Sequence, residues 1–160
     1  ADIPLRYAPA NPETPEGRFW AQLAKGEDFN SNGWRSSEIP SANGHGNARA
    51  TAKLYGVLVS SERLMSRETL QRMASEQHNM VEQFLGRHYH QGLGVVLNSP
   101  PVAWMGPNSK FFGHQGAGGS IGYGDPDARI GFSYAMNRMH MPDSGPRDAL
   151  AKALFACLEG

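Results

Sequence analysis

"GGSIGYGDPDARIGFSYAMNRM", residues 118–139, reads as two strands and the turn that joins them. Ile130, Phe132, Tyr134 and Met136 alternate with Gly131, Ser133, Ala135 and Asn137, the period of two that a strand imposes. Ahead of them, Ile121 and Tyr123 stand on one side, and Gly118, Ser120, Gly122 and Gly124 on the other. "DPDA", residues 125–128, has turn chemistry, so the pair is expected to form a hairpin, with Asp125, Asp127 and Arg129 serving the turn and its solubility. One face of that hairpin is large and the other is paved with Gly, Ser and Ala. A face so poor in apolar area holds a core only if another element approaches closely, so a helix is expected on it. The candidate is "GPRDALAKALFACLEG", residues 145–160, with Pro146 at the first helical position and Leu150, Leu154, Cys157 and Leu158 as its stripe.

Upstream, "GLGVVLNS" (92–99) is glycine-flanked and β-branched and predicts a further strand. "NARATAKLYGVLVS" (47–60) spaces Thr51, Leu54, Tyr55 and Leu58 at helical intervals, with Asn47 as cap. "SRETLQRMASEQ" (66–77) predicts a short helix capped by Ser66 that buries Leu70, Met73 and Ala74. "EGRFWAQLAKG" (16–26) places Phe19, Trp20 and Leu23 on one side of another short helix ending near Gly26. Between these helices, residues 30–47 carry three glycines, four asparagines and four serines. They read as a long loop, and long loops inside compact domains are often functional.

Composition narrows the function classes. The chain has 160 residues, 39% of them apolar, enough for one packed domain. Fifteen Lys and Arg balance fifteen Asp and Glu, so no basic field is present for a nucleic acid. The single cysteine, Cys157, excludes an internal disulfide and a cysteine zinc site. No apolar run is long enough to span a bilayer, and "ADIPLRYAPANPETPEG" has neither the basic nor the apolar part of a signal peptide. With Pro4, Pro9, Pro12 and Pro15, residues 1–15 read as coil, as a linker or a cut chain would.

The stretch 112–126 holds six glycines and His114. Three uses of so bare a backbone compete. A phosphate site fails on spacing: from Gly116 and Gly118 the third fingerprint position is Ile121, no Gly-Lys pair exists for a P-loop, and a strand rather than a helix follows. A structural reading stands, in which the glycines permit a bulge or close backbone packing and His114 is an ordinary half-buried residue. A chemical reading also stands, in which a strand edge without side chains lets a substrate carbonyl reach a backbone N–H, as an oxyanion hole requires.

Other candidates have plainer explanations. His88 and His90 share a side if their segment is extended, and could join His114 around a metal; with no Asp, Glu or Cys at ligand spacing, no metal is expected. His45 reads as a hydrogen-bonded loop residue. Met136, Met139 and Met141 read as filler and loop, and Trp34 and Trp104 as packing under loops in preference to the walls of an acyl pocket.

"GHQGAGGSIGYGDPDARIGFSYAMNRM" (113–139), with "EIPSANGHGNARATAKLYGVL" (38–58), resembles the C-terminal part of the β-lactamase-related serine hydrolases. That group includes class C β-lactamases, D-aminopeptidases and β-lactamase-like carboxylesterases. The likeness runs from about Phe19 to the end. Its best-marked piece is His114-Gln115-Gly116, an H-x-G of the esterase-like branch where β-lactamases have K-T-G. The resemblance implies an α+β fold, an antiparallel sheet flanked by helices on both faces, with residues 16–160 as the C-terminal portion of a single domain. It implies a serine of S-x-x-K attacking a small acyl ester, a lysine and a Y-x-N or Y-x-S tyrosine moving the proton, and water releasing the acyl-enzyme, with no cofactor. Carried over, His114 faces the substrate, Gly116 and Gly118 leave room for it, and the Ala117 N–H is one oxyanion donor.

Two of the three motifs are absent. No serine has a lysine three positions on: Ser61 leads to Leu64, Ser66 to Thr69, Ser109 to Phe112. Tyr7, Tyr55, Tyr89, Tyr123 and Tyr134 are followed two on by Pro, Val, Gln, Asp and Met. In the family both motifs lie upstream, so the chain alone is expected to be inactive. Its expected partner is the N-terminal half of the same hydrolase, or a second copy covering the same surface. The competing expectation is a non-catalytic interaction module built on the same half-fold.

Overall fold

A computed structural model describes residues 11, 13–14, 17–18, 30–40, 43–83, 86, 88–100, 104–137 and 145–159. Most of the expected coil 1–15, and Phe19, Trp20 and Leu23 of the first expected helix, lie outside these residues. The chain divides into residues 1–46 with 83–87, and residues 47–82 with 88–160.

In the first unit, part of the expected loop is helical. Helix α1, Asn32–Ser36, is capped by Ser31, whose Oγ accepts the Trp34 N–H at 3.1 Å. Asn43 then ties the following turn down: its Oδ1 accepts the Ile39 N–H at 3.1 Å and its Nδ2 donates to the Trp34 carbonyl at 3.1 Å. Serines and asparagines that discourage long helices thus cap a short one and close its exit. His45 is exposed.

The second unit is built on a six-stranded antiparallel sheet in sequence order. Its strands are β1 (His78–Val81), β2 (His88–Gln91), β3 (Val96–Leu97), β4 (Phe112–Gln115), β5 (Ile121–Asp125) and β6 (Ile130–Tyr134). The expected hairpin is β5 and β6, with Tyr123 opposite Phe132 and Gly124 opposite Gly131. Gly118, expected on the small face of a strand, instead lies in a turn before β5. Strands β1 and β2 carried no sequence signal, because "HNMV" and "HYHQ" show no contrast between an apolar and a polar face.

Helices cover both faces. Helix α2, Ala48–Ser60, starts at Asn47, whose Oδ1 accepts the Ala50 N–H at 2.9 Å. Helix α3, Arg67–Met73, starts at Ser66, whose Oγ accepts the Thr69 N–H at 3.1 Å. With Val95, Leu97 and Phe112, the side chains of Tyr55, Leu58, Val59, Leu70, Met73 and Ala74 form one core cluster. Val96, Met105, Phe111, Ile121, Tyr123 and Phe155 form the other, on the opposite face.

The helix on the glycine-paved face is α2, not the C-terminal helix. A methyl group placed on Gly131 would lie 2.1 Å from the Gly56 nitrogen and 2.2 Å from the Ala52 carbonyl oxygen; one on Gly122 would lie 2.7 Å from Thr51 Cγ2. Backbone meets backbone there, because Ala52 and Gly56 let α2 come as close as the sheet glycines allow. Helix α4, Pro146–Glu159, lies on the large face. It buries Arg147, Ala151 and Phe155, one helical repeat apart, and leaves Leu150, Leu158 and Cys157 exposed. Phe155 meets Phe111 edge to face at 5.3 Å, a contact that needs a bulky partner and finds none on the small face.

The loop between β3 and β4 is fastened by buried Asn98, which accepts the Met105 N–H at 3.0 Å and donates to the Gly106 and Asn108 carbonyls at 2.9 and 2.8 Å. Asp125 serves the turn as expected but not solubility. It is fully buried, accepting the Asp127 and Ala128 N–H groups at 2.9 and 3.2 Å and the Asn108 amide at 2.7 Å. Lys152 of α4 reaches over Trp104, its Nζ 5.7 Å from the ring centre.

Candidate active site

Strand β4 brings the H-x-G residues to the end of the sheet away from the β5–β6 turn. Gly113 is buried between strands: a methyl group there would meet the Gly122 carbonyl oxygen at 2.2 Å and Tyr123 Cα at 2.6 Å, so β4 and β5 sit closer than side chains permit. His114 is paired with Gly122 across the ladder and is exposed. That neighbour, Gly122, lies directly under Thr51 and Tyr55 of α2. Gln115, paired with Ile121, belongs to the other face.

After Gln115 the chain turns tightly. Gly116 is extended, with φ −113° and ψ 158°, and its N–H donates to the Ser120 carbonyl at 2.8 Å. Residues Ala117–Gly119 form a short 3-10 stretch kinked at Gly118, in which the Gly119 N–H donates to the Gly116 carbonyl at 3.2 Å. Gly118 is left-handed at φ 81°, a conformation that costs any residue with a Cβ about 1–2 kcal/mol. The N–H groups of Gly116 and Gly119 are used inside the turn, and those of Ala117 and Gly118 stand at its start. Such N–H groups are fixed donors for a negatively charged oxygen. A methyl group on Gly116 would collide with Ser120 Oγ at 2.2 Å, a side chain that can move aside.

The ring of His114 is oriented by its own strand. Its Nδ1–H donates to the Gln115 carbonyl at 2.6 Å, which leaves Nε2 free to act. Gln115 Oε1 in turn accepts from Arg147 Nη1 at 3.4 Å. Neither partner was visible in sequence: Gln115 is the unspecified middle of the motif, and Arg147 is brought to it by the packing of α4. On α2, burial pushes the ionisation of the Tyr55 phenol up.

The other candidates disperse. His88 and His90 lie on β2, where His90 Nε2 pairs with Glu76 Oε2 at 2.8 Å; His114 is two strands away on β4. Among the described residues no three His, Cys, Asp or Glu side chains gather at metal-binding distance. A groove of about 520 Å³ opens at the opposite end of β4, floored by Leu58, Val59, Leu70 and Phe112, with Lys110 and Asp127 at its rim.

Comparison with known proteins gives the geometry its context. The beta-lactamase family model matches residues 3–156. The esterase/beta-lactamase LipL of Mycobacterium tuberculosis (strain ATCC 25618 / H37Rv) is 31% identical over 114 residues, 66% of this chain and 25% of that protein. A family VIII carboxylesterase is 35% identical, superposing on 86% of this chain and 37% of its own with a TM-score of 0.73. A penicillin-binding protein homolog from Caulobacter crescentus is 30% identical, with a TM-score of 0.75 over 91% of this chain and 40% of its own. The fold of EstA from Arthrobacter nitroguajacolicus Rue61a, 23% identical, covers 100% of this chain and 46% of its own with a TM-score of 0.81. The chain thus spans a quarter to less than half of the length of these relatives. The antiparallel sheet between helices, the glycine-built end of β4 and a match over nearly the whole chain lead to one conclusion: this chain belongs to the beta-lactamase family, the β-lactamase-related serine hydrolases.

Proposed function

We propose that this chain is the C-terminal part of an esterase of this family and supplies the substrate-facing strand of its active site. The observation that carries this reading is the end of β4, where His114 leads into the glycine-built turn of Ala117–Gly119, in a sequence without S-x-x-K. A serine on a segment outside this sequence attacks the ester carbonyl and passes its proton to a neighbouring base. The carbonyl oxygen, now an oxyanion, is held by the Ala117 N–H and the serine's own N–H. Collapse expels the alcohol with a proton, leaving an acyl-serine that water hydrolyses to the acid and free serine. His114 orients the ester, with Gly116 and Gly118 beside it. The names of the esterase/beta-lactamase and the carboxylesterase support an acyl ester as substrate.

The surface is also suited to a second segment or a second copy of the chain. Leu54 on α2 and Leu150 and Leu158 on α4 are half exposed, and β1 and β6 end the sheet among the described residues. The test mixes this chain with the segment of the family VIII carboxylesterase that it does not cover and follows hydrolysis of a short-chain nitrophenyl ester. Activity is expected only in the mixture, with a serine-reactive phosphonate labelling the added segment. His114→Ala should lower the rate roughly tenfold to a hundredfold, the loss of one substrate hydrogen bond. A one-to-one complex without activity would favour the non-catalytic interaction module, and phosphonate-sensitive activity of this chain alone would place the nucleophile within it.

A further inference from the structure

We infer that Arg147 is a positioning residue, which through Gln115 holds His114 in the Nδ1–H tautomer and so presents its Nε2 to the substrate as a hydrogen-bond acceptor. The inference rests on the reading of β4 as the substrate-facing strand. Arg147 is charged and only 7% exposed. A guanidinium is withdrawn from water at a large cost unless its N–H groups are used. Two are: Nε donates to Asp148 Oδ1 at 2.9 Å, within the first turn of α4, and Nη1 donates to Gln115 Oε1 at 3.4 Å, across to the last residue of β4.

Gln115 is therefore held on one face of the sheet by a helix, while its carbonyl meets the His114 ring at 2.6 Å. A carbonyl oxygen only accepts, so Nδ1 carries the hydrogen and the neutral ring keeps its lone pair on Nε2. That carbonyl belongs to the peptide joining Gln115 to Gly116, so the contact depends on how that peptide is oriented. That peptide is the one leading into the 3-10 turn, whose N–H groups are the oxyanion donors. Fixing the Gln115 peptide sets the histidine and the start of the turn together.

The consequence is a substrate preference. A neutral acceptor offers no charge to a carboxylate, and it pairs with an O–H or N–H donor. The strand end thus suits an uncharged ester whose alcohol or acyl part carries such a donor.

The tautomer is read directly by nitrogen NMR of the imidazole rings in this chain, without substrate, at a pH where the rings are neutral, with His114→Gln identifying the signal. In the parent chain, His114 is expected to show a protonated Nδ1 and an unprotonated Nε2. Arg147→Met and Gln115→Leu should each convert that signal to an average of the two tautomers while the spectra of His78, His88 and His90 stay unchanged. A parent His114 protonated on Nε2 overturns the inference, as does retention of the parent pattern in both variants. If Arg147→Met does not fold, Gln115→Leu decides alone, since it replaces only the amide of a half-buried side chain. Because no catalysis is measured, an inactive mixed assembly would sink the esterase reading without altering the tautomer result, and the converse also holds.

Discussion

The contact between α2 and the hairpin makes opposite predictions for its two glycines. An alanine methyl group at Gly131 would lie 2.1 Å from the Gly56 nitrogen and 2.2 Å from the Ala52 oxygen. Non-bonded heavy atoms settle near 3.5–4.0 Å, so α2 would have to retreat by more than an ångström, loosening its packing over Gly122 and Gly124 as well. Overpacking costs about 1–3 kcal/mol, and two backbone segments that cannot rotate away put this case at the upper end. At about 3 kcal/mol, Gly131→Ala should lower the melting temperature by roughly 6–12 °C. From the other side, a methyl group at Gly56 meets the Gly131 nitrogen at 3.7 Å and its Cα at 3.9 Å, ordinary contact distances. There the removal of a glycine from a helix interior dominates, and Gly56→Ala should stabilise by about 0.5–1 kcal/mol. Thermal unfolding followed by circular dichroism, on parent and both variants, checks the pair. A Gly131→Ala chain as stable as the parent, or a Gly56→Ala chain as damaged as Gly131→Ala, would refute the reasoning.

Three further outcomes follow from the same geometry. The Tyr123 hydroxyl is buried without a partner, so Tyr123→Phe should leave stability unchanged or raise it by about 1 kcal/mol in urea unfolding at neutral pH. Burial and the Asp125 carboxylate hold its ionisation well above the ordinary 10.0; the unfolded chain releases that proton first, so stability present below pH 10 falls as pH rises beyond it, and the phenylalanine variant should fall less steeply. Ala117→Pro deletes one proposed oxyanion donor at a first helical position and after an extended Gly116, where proline fits; ester hydrolysis by the mixed assembly should drop about 100- to 1,000-fold while the chain still melts cooperatively. Phe155→Ala should cost about 3–5 kcal/mol, and Leu158→Ala, half exposed, far less; equal losses would restore the stripe expected from the sequence.

How much of this was legible in advance depended on the range of the physics involved. The β5–β6 hairpin, the caps at Asn47 and Ser66 and the buried side of α3 follow from neighbours in the chain, and each appears where its residues predict. The need for a close element on the small face was likewise legible, since Gly, Ser and Ala cannot fill a core. The family, and through it the α+β architecture, could be read from His114-Gln115-Gly116 and the strand that follows. Which helix answers the need was not legible. Helices α2 and α4 both carry an apolar stripe, and the choice turned on whether Gly56 and Ala52, or Phe155, matched the facing surface.

Local conformation, the glycine-built end of β4 and the absence of S-x-x-K could be read from the chain directly, because these are properties of adjacent residues or of the whole composition. Tertiary structure alone decided that α2 seals the small face, that Asp125 is a buried anchor and that Arg147 reaches Gln115. Each of those depends on packing between segments far apart in the chain, where shape and hydrogen-bond satisfaction, rather than sequence spacing, select the partner.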